Sequence, residues 1–327
     1  MPQLTDQFGR RINYLRISVI DRCNLRCHFC MPLHGLEFYA QNRLLSFDDL
    51  IFMLQIANRL GIDRVRLTGG EPLLRPNLPD LIRRIKTETG VRQVSMTTNA
   101  MLLARHADAL VDAGLDWVNV SLESLRPERY HKITRFGILE NVWEGIRRVS
   151  EAGIPTIKIN ALIMKDENDD EFEAWLDLIR ERDLVVRFLE VMPIGEVNNN
   201  GGMDKFVNLT EVREQLIATH GLVPAQVERG NGPARYWKVP GAKGKIGFIT
   251  PISDKYCNTC NRFRLTAIGD LRPCLAYDTQ VSLGEAIKRR DAAAVEAGFL
   301  EAAHLKPRGH RWEVGQTTLT GMSNLGG

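Results

Sequence analysis

The chain has 327 residues, in which 43 Lys and Arg stand against 40 Asp and Glu for a formal net charge of +3. That excess is too small to call for nucleic acid, and no apolar run reaches the ~18 residues of a membrane span. With 44% hydrophobic and 25% charged residues, the composition is that of an ordinary soluble protein, long enough for one large domain or two at about 100–200 residues each. The first residues, Met1-Pro2-Gln3-Leu4-Thr5-Asp6, do not read as a signal peptide, so a cytoplasmic location with reduced thiols is expected.

Residues 13–20 alternate polar and apolar, the period of a strand, with Arg16 and Ser18 on one face and Leu15, Ile17 and Val19 on the other. Cys23, Cys27 and Cys30 follow in a C-x3-C-x2-C spacing. Thiolates are soft ligands suited to zinc or iron–sulfur clusters. A structural zinc or an ordinary four-iron cluster takes four protein ligands, so three leave one position open to a second molecule. A zinc knuckle or a redox dithiol is the alternative.

Ser46 reads as a helix N-cap, with Asp48 and Asp49 in the first turn and Gly61 at the far end. Strands are expected over 64–68, 93–97, 117–122, 156–162 and 184–191, with helices over 78–88, 103–113, 139–152 and 170–182 between them. Strands alternating with helices imply right-handed crossovers and a parallel sheet. Six such strands give an α/β fold, a (βα)6 barrel or an open, partial one.

The two faces of these strands differ. Arg64, Arg66 and Thr68 share a face, as do Ser95, Thr97 and Asn99, then Asn119, Ser121 and Glu123, then Lys158 and Asn160. The opposite faces carry Val65/Leu67, Val94/Met96, Val118/Val120/Leu122 and Ile157/Ile159/Ala161, which need helices over them. A complete eight-stranded barrel fills its interior with branched apolar residues. A polar interior instead implies a solvated lumen that holds a ligand. At the end of the second strand, Thr68-Gly69-Gly70-Glu71-Pro72 is a turn whose glycines let backbone approach a ligand closely.

Residues 194–204 form a Gly/Asn-rich loop and a natural boundary. Asn208 caps a further helix, with Glu211 three residues on, and short strands are expected through 223–250. The remaining cysteines, Cys257, Cys260 and Cys274, make a second triplet at C-x2-C-x13-C. All six thiols fall into the two triplets, which makes disulfides the weaker reading in a chain of this length. A fourth ligand from His220, His304 or His310 would make the second set a zinc site; without one it is a second cluster with an open iron. Arg262 and Arg264 share a face of the strand between the cysteines, and two guanidiniums there suit a phosphate-bearing ligand.

The C-x3-C-x2-C stretch followed by Gly-Gly-Glu-Pro resembles the radical S-adenosylmethionine enzymes. That resemblance implies a [4Fe–4S] cluster on Cys23, Cys27 and Cys30 whose fourth iron is chelated by S-adenosylmethionine. It assigns Phe29, Gly70, Ser121 and Met192 to holding that cofactor. The second triplet, the run Cys260-Asn261-Arg262-Phe263-Arg264-Leu265-Thr266-Ala267 and the terminal Gly326-Gly327 narrow the resemblance to the GTP 3′,8-cyclase family, over about residues 8–327. It then implies a second [4Fe–4S] cluster on Cys257, Cys260 and Cys274, GTP contacts from Arg16, Arg66, Thr97, Lys158, Arg262, Phe263 and Arg264, and a Gly326-Gly327 tail that enters the site. Phe29 stands where the family more often has tyrosine, Ala100 where it has glycine and Glu123 where it has aspartate; none of these removes a ligand.

The fold so implied is a partial (βα)6 TIM-type barrel carrying the radical cluster (residues 1–195), with a C-terminal α+β region (196–327) closing the open side and carrying the second cluster. The implied reaction takes the hydrogen from C3′ of GTP and joins C3′ to C8, giving (8S)-3′,8-cyclo-7,8-dihydroguanosine 5′-triphosphate at the opening of molybdenum cofactor biosynthesis. The implied partners are a flavodoxin- or ferredoxin-type reductant and a cyclic pyranopterin monophosphate synthase that receives the product, with a homodimer left open. Two rivals stand beside this reading: a radical enzyme with an auxiliary cluster that acts on a peptide, and a zinc-binding interaction module.

Overall fold

In the computed structural model, which describes residues 3–226, 232–312, 315–318 and 320–322, βα units follow one another from the N-terminus. β1 (Tyr14–Ser18) leads to α1 (Phe47–Arg59), β2 (Arg64–Thr68) to α2 (Leu78–Glu88) and β3 (Gln93–Thr98) to α3 (Leu103–Asp112). β4 (Trp117–Ser121) leads to α4 (Pro127–Thr134) and α5 (Leu139–Glu151), β5 (Ile157–Ile163) to α6 (Phe172–Glu181) and β6 (Val185–Glu190) to α7 (Leu209–His220). Ser46 caps α1 as expected: its hydroxyl accepts from Asp49 N at 3.1 Å, and Asp49 accepts from Ser46 N at 2.9 Å. The apolar strand faces lie against the helices, so that Val65, Leu67, Val94, Val118 and Ile159 share one core with Leu54, Leu81, Leu110 and Leu176.

α4 is an element the sequence did not announce. It is short, it opens on Pro127 and it buries only Tyr130, Ile133 and Thr134, too little for a period to show. Its placement matters, because its last carbonyls have no partner within the helix. The cysteine loop supplies one: Arg26 N donates to Thr134 O at 3.2 Å, and His28 N to Ile133 O at 3.1 Å.

The C-terminal region adds strands to the same sheet. It continues with β7 (Val223–Ala225), β8 (Arg235–Lys238), β9 (Lys245–Ile249), β10 (Arg262–Leu265), β11 (Asp270–Arg272), β12 (Val281–Ser282), α8 (Gly284–Lys288) and α9 (Ala292–Leu305). Among the described residues the strand order is β12-β11-β10-β1-β2-β3-β4-β5-β6-β9-β8-β7. Every pairing from β10 to β9 is parallel, and the flanking hairpins are antiparallel. Strands β9 and β10 thus extend the barrel sheet from its two edges, and the sheet stays open between them. An uncovered edge presents a row of unpaired N–H and C=O groups, and these added strands satisfy it.

One carboxylate ties the two regions together. Glu190, at the end of β6, is fully buried and accepts from Leu209 N at 3.3 Å, Ile252 N at 2.8 Å and Ser253 N at 3.1 Å. Each buried donor left without an acceptor costs roughly 1–3 kcal/mol. Glu190→Ala should therefore lower stability by about 3 kcal/mol or more, read from the denaturant midpoint of the anaerobic protein; an unchanged midpoint would show that the bonds carry no net stability.

Candidate active site

The polar strand faces enclose a cavity of about 320 Å³. Both cysteine triplets line it, as do Phe29, Gly70, Ser121 and Met192 and the cationic set Arg16, Arg66, Arg262 and Arg264 with Thr97. Two of the expected substrate contacts are placed elsewhere. Phe263 alternates with Arg262 and Arg264 along β10, so it points away from them into the core at 0% exposure. Lys158 lies two residues below Asn160 on β5 and is buried with its ammonium over the Trp117 ring, 5.3 Å from the centroid.

The first triplet sits in a loop braced on three sides. α4 holds one side through the carbonyls described above. The Gly69-Gly70 turn holds the second: Gly70 N donates to Ile20 O and Glu71 N to Arg22 O, both at 2.8 Å. A Cβ on Gly69 would stand 2.3 Å from Ile20 O, and one on Gly70 2.2 Å from Arg22 O. The close approach that demands glycine here is therefore to the cysteine loop's own backbone. Glu71 forms the third brace, accepting from Thr98 Oγ1 at 2.7 Å and Asn99 N at 2.8 Å. Asn99 in turn donates to Asn24 Oδ1 at 2.9 Å and reaches Cys23 Sγ at 3.7 Å.

Burial pushes the Glu71 carboxyl up to about 7 against the pull of these bonds. Burial, and then Glu71, pushes the Cys23 thiol up to about 11; burial, and then Glu123, raises Cys27 as well. Thiols held protonated in this way release protons when a metal takes them as thiolates.

The second triplet lies at the other end of the strands. β10 runs parallel to β1 with Tyr14 opposite Arg262 and Arg16 opposite Arg264. Cys23, Cys27 and Cys30 come after β1, at the carboxyl ends; Cys257 and Cys260 come before β10, at the amino ends, and Cys274 follows antiparallel β11 to the same side. The five residues of β1 span about 13 Å at roughly 3.3 Å per residue. Arg10 reaches in from the N-terminal segment to Cys257 O at 2.8 Å, Arg308 O at 3.0 Å and Pro307 O at 2.6 Å. Burial would push the Cys260 thiol up, but Lys306, Arg262 and Arg10 outweigh it and bring it down to about 7. Burial raises Cys274.

Between the triplets the cations crowd one another. Burial, and then Arg264 and Arg66, holds Arg16 well below the usual guanidinium range. Burial and Arg262 bring Arg264 down to about 10, and burial, Arg187 and Arg66 bring Lys158 down to about 7. Tyr14 offers partial relief, its ring 5.5 Å from the Arg66 guanidinium and 5.8 Å from that of Arg262. Buried like charges that depress one another mark a functional site, and this one suits an anion. Thr97 Oγ1 and Asn160 Oδ1, both in the cavity wall, are buried without a hydrogen-bond partner among the described residues, as a polar ligand would require. Arg187 was missed in the sequence. It lines the cavity from β6 and donates to Asn119 Oδ1 at 2.5 Å; Val185 and Leu189 share its face of the strand, so no polar alternation marked it.

Among the described residues no histidine is gathered with other His, Cys, Asp or Glu into a group placed to hold a metal. His220 is engaged with Glu173 at 2.8 Å, His304 is exposed at the end of α9, and His310, the one in the cavity wall, places Nε2 2.8 Å from Pro251 O. At the far end, Thr318 bridges to Ile194, Arg272 donates to Thr320 Oγ1 at 2.8 Å and Met322 lines the cavity. Gly326 and Gly327 lie outside the described residues.

Residues 17–179 match the family model of the Radical SAM superfamily and residues 184–312 that of Molybdenum Cofactor Synthesis C. The chain is 44% identical to a GTP 3′,8-cyclase of Petrotoga mobilis over 94% of its own length and 95% of that protein's. It is 42% identical to one of Pelotomaculum thermopropionicum over 99% and 100%. The chain belongs to the GTP 3′,8-cyclase family. Its fold is also that of Streptococcus suis SuiB, solved with its precursor peptide SuiA, at a TM-score of 0.62 and 16% identity. That likeness covers 91% of this chain and 65% of SuiB, so the chain spans less than two thirds of that protein's length. Membership in the family brings S-adenosylmethionine and [4Fe–4S] clusters as cofactors, and two sets of three half-buried free thiols in one cavity wall, each one ligand short of four, fit such clusters.

Gly70→Ala tests the brace. Its Cβ would force the turn and the cysteine loop apart, so iron and sulfide per chain should fall by about half with the second cluster's absorption retained. Full iron content in the variant would show that the loop adapts.

Proposed function

We infer that the chain is a radical enzyme that joins C3′ to C8 within GTP, the first step of molybdenum cofactor biosynthesis. One observation carries this: a cavity with a thiol triplet at either end of the β1–β10 pair and, between them, arginines from both strands, Arg264 buried and Arg16 and Arg262 half-buried. A triphosphate satisfies those arginines by charge-assisted hydrogen bonds.

In this proposal Cys23, Cys27 and Cys30 hold the cluster that binds S-adenosylmethionine, and Phe29, Gly70, Ser121 and Met192 hold the cofactor itself. Together, when bound, they supply a radical that takes hydrogen from the substrate. Arg16, Arg66, Arg262 and Arg264 bind and orient the triphosphate, and Thr97 and Asn160 take hydrogen bonds from its nucleoside. Phe263 supports the two arginines from behind, and Lys158 acts through its charge from below. Cys257, Cys260 and Cys274 carry a second cluster that anchors guanine. The surrounding sheet excludes water, which a carbon radical needs. Residues 1–195 and 196–327 are then the radical and the substrate-anchoring regions. A flavodoxin- or ferredoxin-type reductant, a cyclic pyranopterin monophosphate synthase as recipient of the product, a homodimer and a cytoplasmic location complete the proposal. The likeness to SuiB extends to the fold alone, and an arginine-lined cavity favours a nucleotide over a peptide.

The test is anaerobic turnover with GTP, S-adenosylmethionine and reductant. The chain should consume GTP and form the 3′,8-cyclised triphosphate. Replacing Cys257, Cys260 and Cys274 together by Ala should halve the iron and abolish cyclisation while 5′-deoxyadenosine still forms. Cyclisation by that variant would remove the second cluster from the reaction.

Lys158 gives a pH dependence with a definite sign. Burial, Arg187 and Arg66 bring its pKa to about 7, which is a raised cost of the charged form. A bound triphosphate favours the ammonium, so binding takes up a proton above pH 7. GTP affinity of the cluster-loaded protein should fall between pH 7.5 and 9, approaching tenfold per pH unit, and Lys158→Met should flatten the profile. A flat profile in the unsubstituted chain would show that the cavity field does not reach the ligand.

A further inference from the structure

Lys306 is one of the largest fully buried side chains of the protein, at 1% exposure, and it lies in the cavity wall just past α9. Its ammonium donates to Pro273 O at 2.6 Å and to Arg262 O at 3.0 Å and stands 5.4 Å from the centre of the Phe263 ring. Pro273 immediately precedes Cys274, and Arg262 comes two residues after Cys260. One side chain thus pins the backbones of two cysteine-bearing segments that are far apart in the chain. Arg10 does the same for the third, through Cys257 O, and has Asp6 as its own counter-ion at 2.6 Å.

Among the described residues no carboxylate pairs with Lys306. A buried ammonium is costly unless an opposite charge accompanies it. Carbonyls offset part of that cost. The opposite charges that the fold brings to this place are the thiolates of the second triplet, which exist once a metal is bound. A [4Fe–4S] cluster with three thiolates is net negative and becomes more so on reduction. Its potential follows net charge and the hydrogen bonds around it, and the residues that orient metal ligands are those whose loss costs metal affinity.

We propose that Lys306 is a positioning residue of the second cysteine triplet: it sets the spacing of the Cys260 and Cys274 segments, and its charge favours the reduced form of the cluster they hold. The proposal rests on the second triplet binding a [4Fe–4S] cluster. It adds that this cluster's occupancy and potential are set by a lysine that supplies no ligand.

Two substitutions separate spacing from charge. Lys306→Met keeps the stem and removes both the donor and the charge; Lys306→Gln keeps a donor and removes the charge. Full-length protein is reconstituted anaerobically, and iron, sulfide and the redox titration of each cluster's electron paramagnetic resonance signal are measured. Lys306→Met should lose about half of the iron. Lys306→Gln should keep more of it, with the second cluster's midpoint lowered so that its oxidised-to-reduced ratio at fixed potential rises about tenfold, about 59 mV for one electron. The first cluster's signal, and 5′-deoxyadenosine formed without GTP, should stay at the unsubstituted level in both and so report an intact barrel. Full iron in both variants with an unshifted second-cluster midpoint would overturn the proposal. A single cluster in the unsubstituted chain would instead overturn the reading of the second triplet and this proposal with it.

Discussion

The parallel pairing of β10 with β1 is the constraint on which the site depends. It sets Arg264 beside Arg16 and Arg262 beside Tyr14, so cations from two distant parts of the chain meet on one wall. It also fixes the direction of the second cysteine set. Because β10 runs with β1, the cysteines before it emerge at the amino ends of the strands, opposite the loop that follows β1. An antiparallel β10 would have put both triplets on one side with no length of cavity between them.

Such a wall is not built for the stability of the empty protein. Guanidiniums and an ammonium buried side by side repel one another, and burial withholds the water that would screen them. A fold that tolerates this is supported elsewhere, by the broad apolar core on the other side of the sheet. An anion entering the cavity would relieve that strain, and what binds the native state alone stabilises it by mass action. In the proposed function this positive charge is preorganised, aimed before the substrate arrives.

The two cysteine loops are held by different physics. The first is held by backbone: the end of α4 accepts from it, the Gly69-Gly70 turn packs against it without side chains, and the Glu71–Asn99 pair reaches Cys23. The second is held by buried cations acting on carbonyls, Arg10 on Cys257 and Lys306 on the segments around Cys260 and Cys274. The first brace includes a carboxylate, Glu71, near Cys23, whereas the second is cationic. Cys23 is pushed up to about 11, while Cys260, on which Lys306, Arg262 and Arg10 act against burial, is brought down to about 7; burial still raises Cys274.

Local period and spacing determined much of this protein in the sequence alone. Alternation in the strands separated a helix-facing side from a cavity-facing one, and it did so for Arg16, Arg66 and Thr97 before any contact was known. The cysteine intervals named two triplets, and both line the one cavity, because residues close in sequence stay close in any fold. Helix caps such as Ser46 were legible for the same reason. Tertiary structure decided whatever depended on pairing between distant segments. It placed β9 and β10 on opposite edges of one sheet and gave α4 a partner that its short sequence could not advertise. It turned Phe263 into the core and left Lys158 beneath the cavity floor. It brought Arg10 and Lys306, from opposite ends of the chain, to one cysteine set. A lysine or arginine has no period of its own, and whether its charge meets solvent, substrate or a ligating loop depends on which strands lie beside it.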